Sequence, residues 1–301
     1  MRLQQWIKNL FLFAALIFSG RLFHREDLLL TILGFFSFSL LSSGVYVFND
    51  IADLQADKLH PVKSQRPLPS GKLRTSTGYQ ASIVLATIGL VVGYYLRVEF
   101  GITLSIYFLL NVLYSLKLKE VVILDVMTIA AGFVLRVVGG ALLIDVPTSE
   151  WLIICTILLS LFLGFSKRRN ELTFLEAQAN THRSVLQHYS PYFLDQMIGI
   201  VTASTVMSYA LYTISEETVK KFGTKNLIYT VPFVLYGIFS LFISCAPERG
   251  GRKSDKACRN RSSAHRQHYF VDCICSCDYL SIGKSCQNPK SPFLRPDPRL
   301  S

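Results

Sequence analysis

The stretch Asn49-Asp50-Ile51-Ala52-Asp53-Leu54-Gln55-Ala56-Asp57 sets three carboxylates three and four residues apart. On a helix Asp50, Asp53 and Asp57 share one face, with Asn49 one position off the stripe. Three carboxylates side by side repel unless a cation lies between them. Hard oxygen donors with no Cys or His in the stretch point to Mg²⁺, which keeps some waters and binds through substrate phosphates as well. The plainer reading is a solvated acidic helix end. It is disfavoured because the stripe closes a run of about twenty mostly apolar residues, where carboxylates are costly unless they have a task.

A basic run follows: His60-Pro61-Val62-Lys63-Ser64-Gln65-Arg66-Pro67-Leu68-Pro69-Ser70-Gly71-Lys72. Its prolines and Gly71 make a stiff, shaped loop. Lys63 and Arg66 lie close enough to the aspartates to share one ligand with them. Carboxylates and cations at one mouth suit a metal-bound polyphosphate. The competing reading is that these charges only set topology. Three further groups carry chemistry: Tyr114-Ser115-Leu116-Lys117-Leu118-Lys119, then Asp125 with Arg136, then Lys167-Arg168-Arg169-Asn170-Glu171. Asp125 and Arg136 fall near one helix face but ~16 Å apart along the axis, too far to pair directly. Ionisable residues inside an apolar segment are functional candidates, or else bridges to another helix. Lys167 and Glu171 stand at i, i+4, so a surface pair is the ordinary alternative there.

The elements that must position these residues are apolar helices. Half of the 301 residues are hydrophobic and the net charge is +11, with a mean hydropathy of +0.36. Apolar runs near twenty residues read as transmembrane helices, and lipid excludes open sheet edges, so the expected fold is an all-α, polytopic membrane bundle. Eight spans are expected: about 9–18, 28–48, 79–96, 100–116, 121–144, 151–165, 192–214 and 227–243. A polar loop is expected from Lys167 to about Pro191. With the N-terminus inside, the inside loops hold most of the Lys and Arg residues, which gives the working face its side. The charge therefore reads as topology and phosphate contacts; no nucleic-acid partner is expected. No convincing signal-peptide cleavage site follows the first span.

Residues 1–243 read as the membrane-embedded body and 244–301 as an atypical tail. Six of seven cysteines lie from Cys245 onward. Cys273, Cys275 and Cys277 with His265 and His268 fit no common zinc spacing. The tail reads as a frameshifted or otherwise altered version of an ancestral end.

Asn-Asp-x-x-Asp-x-x-x-Asp after a second span resembles the first motif of the UbiA-type prenyltransferase superfamily. Where typical members carry a second Asp-rich loop, this chain has Tyr114-Ser115-x-x-Leu118-Lys119 and then Leu124-Asp125-Val126. That departure resembles the decaprenyl-phosphate phosphoribosyltransferase branch. Gln5-Trp6-x-Lys8-Asn9, His60-Pro61-x-Lys63-x-x-Arg66-Pro67, Gly132-Phe133-x-Leu135-Arg136 and Lys167-Arg168-x-x-Glu171 fit the same branch. The resemblance covers about residues 2–243 and implies nine helices, one more than the eight spans found.

It implies Mg²⁺ held by Asp50, Asp53 and Asp57, and transfer of 5-phosphoribose from phosphoribosyl diphosphate to a polyprenyl phosphate. Asp50, Asp53, Asp57, Lys63, Arg66 and Asp125 would be catalytic. Asn49, Lys8, Tyr114, Ser115, Lys119, Arg136, Lys167, Arg168 and Glu171 would bind substrate. The implied setting is a bacterial inner membrane with a cytoplasmic working face and a role in cell-envelope arabinose supply; a homo-oligomer is left open. Two alternatives stand beside this. An aromatic prenyltransferase using a prenyl diphosphate would need a second carboxylate pair, and Asp125 has no acidic partner at i±3 or i±4. A transporter would need charges lining the midplane of several spans.

Overall fold

The computed structural model describes residues 3–59, 63–176 and 189–245, and every regular element among them is a helix. A 3-10 segment, Leu3–Phe13, runs into α1 (Ala14–Phe18). Then come α2 (Arg25–Ala52), α3 (Leu54–Leu59), α4 (Thr75–Leu96), α5 (Val98–Leu116), α6 (Leu124–Leu143), α7 (Glu150–Glu176), α8 (Pro191–Ile214), α9 (Glu216–Phe222) and α10 (Val231–Cys245). Six of these, α2 and α4 to α8, are long and apolar enough to cross a membrane, and two shorter apolar stretches, Gln5–Phe18 and Asn226–Ser240, stand where the first and last spans are expected. With the wider rise of a 3-10 helix, residues 3–18 reach roughly 30 Å, about one hydrocarbon core.

The 28 residues of α2 extend ~42 Å, so the helix overshoots that core and carries Asn49–Asp50 past it. Its packing against α4 is close because small residues line the contact. A Cβ on Gly44 would stand 2.7 Å from the Ser82 carbonyl oxygen, and one on Gly89 2.8 Å from the Leu41 nitrogen. Ser37 and Ser82 reach across this seam, donating to the carbonyls of Gly89 and Gly44 at 2.7 and 2.8 Å. Leu12, Phe38, Leu41, Phe100, Leu104, Tyr107 and Leu143 fill one core. A second core, built on Val126, Phe162, Phe165, Leu194 and Ile198, joins α6, α7 and α8. Leu29, Leu33, Ile83, Val91, Ile102 and Leu109 are exposed, the face expected to meet lipid.

Two boundaries differ from expectation. The helix carrying the aspartates is not continuous: α2 stops at Ala52, Asp53 caps it outside helical dihedrals, and Asp57 belongs to α3. Lys167 to Glu171 do not open a loop, because α7 runs on to Glu176. Lys, Arg and Glu are good helix formers, so charge ends the apolar run without ending the helix. His60, Pro61, Val62 and the tail from residue 246 lie outside the described residues.

Candidate functional site

The end of α2, the loop after α3, the turn between α5 and α6, and the charged part of α7 meet at one end of the bundle. Arg66 donates from a single guanidinium nitrogen to Asp57 at 2.7 Å and to Asp50 at 3.3 Å. Asp53 faces a different cation: Lys119 Nζ donates to its Oδ1, and the Asn49 amide donates to its Oδ2 at 3.1 Å. Ser115 donates to Asn49 Oδ1 at 3.0 Å, tying the end of α5 to the end of α2. Asp50 and Asp57, which their spacing sets on one helix face, thus meet at Arg66. Asp53 takes its own partners, Lys119 and Asn49. Lys63 opens the 3-10 turn Lys63–Gln65; its side chain lies outside the described residues.

Among the described residues no three of His, Cys, Asp and Glu form a ready metal cage. The donors still fit Mg²⁺ in a narrower sense. Asp50 and Asp57 aim oxygens at one cationic nitrogen, so a small cation between them would meet two hard oxygens. Mg²⁺ is commonly bound by one or two carboxylates plus substrate phosphates, so a full protein cage is not required.

A second network closes Asp125, which is fully buried, as is Arg168 at 2% exposure. Arg168 Nε donates to Asp125 Oδ2 at 2.6 Å, its Nη1 donates to Glu171, and its Nη2 lies 3.4 Å from the Tyr114 hydroxyl. Tyr189 donates to the other oxygen, Asp125 Oδ1, at 2.7 Å. The same hydroxyl accepts from the Ile123 backbone N–H at 2.7 Å. Burial and the Asp125 bond push the Tyr189 phenol above the ordinary tyrosine range. Both Asp125 oxygens are taken by protein donors, so this carboxylate is no open ligand. Tyr189 escaped the sequence reading: its partner is 64 residues away, and its only local signal is its place just before Ser190, which caps α8 by accepting from Phe193 N at 3.1 Å.

Arg136 sits apart from both networks and is buried. It donates to Asn9 Oδ1 at 2.9 Å, to the Gly132 carbonyl at 2.6 Å and to the Tyr107 hydroxyl at 2.9 Å. Its guanidinium lies about 5 Å from the rings of Phe38, Tyr107 and Phe133. Asn9 in turn donates to Ser39 and Ser42 at 2.9 and 3.2 Å. Arg136 therefore binds the N-terminal segment to α2, α5 and α6, and among the described residues Asp125 pairs with Arg168 and Tyr189 instead. Lys8 lies in that same N-terminal 3-10 segment. Lys167 lies on α7, one residue before Arg168.

The sequence profile of the UbiA prenyltransferase family matches residues 10–186. The decaprenyl-phosphate phosphoribosyltransferase of Mycolicibacterium smegmatis is 30% identical over 220 residues, which cover 72% of this chain and 69% of that protein. The protein of the same name from Mycobacterium tuberculosis is 25% identical over 264 residues, 86% of each chain. Among solved structures, a UbiA homologue from Archaeoglobus fulgidus bound to DMAPP and Mg²⁺ shares the fold with a TM-score of 0.64, at 15% identity, over 94% of this chain and 97% of that one.

Proposed function

The chain belongs to the UbiA prenyltransferase family, and from that premise we propose that it transfers 5-phosphoribose from phosphoribosyl diphosphate to a polyprenyl phosphate, releasing diphosphate. It is an integral membrane protein of that family; the working face is assigned to the cytoplasmic side of a bacterial inner membrane, and the transferase body to residues 1–243. The observation that carries the substrate choice is the closed state of Asp125. It is sealed by Arg168 and Tyr189, which leaves, among the described residues at this mouth, the carboxylates of Asp50 and Asp57 with cations around them. One such centre suits one diphosphate, and Arg66 and Lys119 suit the additional phosphates of a sugar donor and a lipid phosphate. The relatives named decaprenyl-phosphate phosphoribosyltransferase support the same reading.

In this reading Asp50 and Asp57 would hold Mg²⁺, with Asp53 nearby on Lys119. Bound there, the ion supplies neutralisation of the leaving diphosphate. The C1–O bond to diphosphate breaks, and a lipid-phosphate oxygen forms the new bond to C1. The attacking phosphate is already anionic, so no proton need be removed, and the residues have to position and neutralise. Lys119, Arg66, Lys63, Lys167 and Lys8 would share the phosphate charges. Arg168 is committed to Asp125 and Glu171 and would act by holding its neighbours. Membranes containing the protein, given labelled phosphoribosyl diphosphate and polyprenyl phosphate, should move label into the lipid phase and lose the transfer with chelator. Transfer from a prenyl diphosphate to an aromatic acceptor, with none from phosphoribosyl diphosphate, would reject the proposal.

A further inference from the structure

The turn between α5 and α6 contains an unusual backbone. Ile123 has φ +70° and ψ −45°, and Leu124 N–H donates to the Val122 carbonyl at 2.8 Å. That is a γ-turn of the rare, strained hand. A β-branched residue is a poor choice for it, since only glycine enters positive φ without cost. Such a conformation persists only where its surroundings over-determine it.

One partner that does so is Tyr189. Its hydroxyl accepts from the Ile123 N–H and donates to Asp125 Oδ1, both at 2.7 Å. Asp125 is fixed from the other side by Arg168. The γ-turn is therefore stapled to the first turn of α6 and to α7. Four residues upstream in the same short connection is Lys119, whose ammonium is on Asp53 with only 12% of its side chain exposed. Between Lys117 and the γ-turn the connection holds one 3-10 turn, Leu118–Glu120, closed by Glu120 N to Lys117 O and Val121 N to Leu118 O. A connection this short transmits a change at one end to the other.

We propose that Tyr189 is a positioning residue of the mouth: its hydroxyl holds the γ-turn at Ile123 and so keeps Lys119 on Asp53. Its value to catalysis rests on reading the mouth as the donor site; the contact it maintains does not.

The test uses the full chain in nanodiscs. Each lysine is acylated with a water-soluble amine-reactive ester and its rate is followed by peptide mass spectrometry. Lys220, with 81% of its side chain exposed, is the internal reference. Tyr189→Phe keeps the ring and removes the hydroxyl. It should raise the Lys119 rate about fivefold or more, through local opening, with Lys220 unchanged. Adding Ile123→Gly gives a residue that enters the turn without strain, and should bring Lys119 back to within about twofold of the parent. An unchanged Lys119 rate in Tyr189→Phe overturns the proposal, and so does a rise shared by Lys220. A rise that Ile123→Gly fails to reverse rejects the γ-turn as the link. In the transfer assay Tyr189→Phe should lower kcat about tenfold. If the parent protein shows no transfer at all, the substrate reading fails, while the acylation result still decides the role of Tyr189.

Discussion

One guanidinium nitrogen of Arg66 lies 2.7 Å from Asp57 Oδ2 and marks the place where positive charge is wanted at the mouth. The same nitrogen is 3.3 Å from Asp50. In the proposed reading an arginine there and a divalent ion would compete for the same oxygens, and the two charges would trade places when substrate arrives.

That competition has a sign. Arg66→Ala should tighten Mn²⁺ binding to the substrate-free protein several-fold, measured from the free-ion resonance on titration. The same variant should lose about tenfold or more in kcat, since a cation facing the leaving group is gone. Weaker Mn²⁺ binding would mean that Arg66 and the ion do not share a centre.

Asp125 and Arg168 form a buried pair, with side chains 0% and 2% exposed. Removing one partner strands the other charge, so Arg168→Met should cost on the order of 3–5 kcal/mol, read as thermal unfolding in detergent. The Asp125→Asn, Arg168→Met double variant should recover much of that loss. Arg97 with Asp145, whose side chain is 82% exposed, is the contrast: Arg97→Ala should cost under about 1 kcal/mol.

The bond from Tyr189 to Asp125 sets a pH dependence. The folded protein raises this phenol's pKa, so its contribution is complete below the unfolded tyrosine value of about 10 and is lost as pH climbs through the folded value. The gap in melting temperature between the parent and Tyr189→Phe should therefore stay level from about pH 6 to about pH 9 and narrow beyond about pH 10. A gap that narrows toward acid instead would place the titrating group elsewhere.

Packing of α2 on α4 is tested at Gly89. Its missing side chain leaves the Leu41 backbone in place at 2.8 Å, and backbone cannot step aside. Gly89→Val should destabilise by about 1–3 kcal/mol, and the exposed Ile83→Val nearby should be almost silent, both by thermal unfolding.

Much of this was written in local sequence. Apolar length gave the long spans, with α8 nearly as expected, because hydrophobic runs of that length have few other outcomes in lipid. The Asp spacing set Asp50 and Asp57 on one face with Arg66 close along the chain, while the direct contact of Arg66 with both carboxylates is seen only in the structure. The separation of Asp125 from Arg136 followed from helical rise alone. What stayed hidden was tertiary. Arg168 finds Asp125 across 43 residues, and Lys119 finds Asp53 across 66; no periodicity encodes either. The helix break after Ala52 was invisible because nothing there is a breaker. The continuation of α7 past Lys167 departs from the expected loop because charge ends apolarity without ending a helix.

The most direct test is the turnover of purified Asp57→Asn beside the parent, at saturating phosphoribosyl diphosphate, polyprenyl phosphate and Mg²⁺. Asn keeps the shape and removes the charge, so kcat should fall by about a hundredfold or more if Asp57 helps hold the cation under the leaving diphosphate. Turnover within about twofold of the parent would contradict the account.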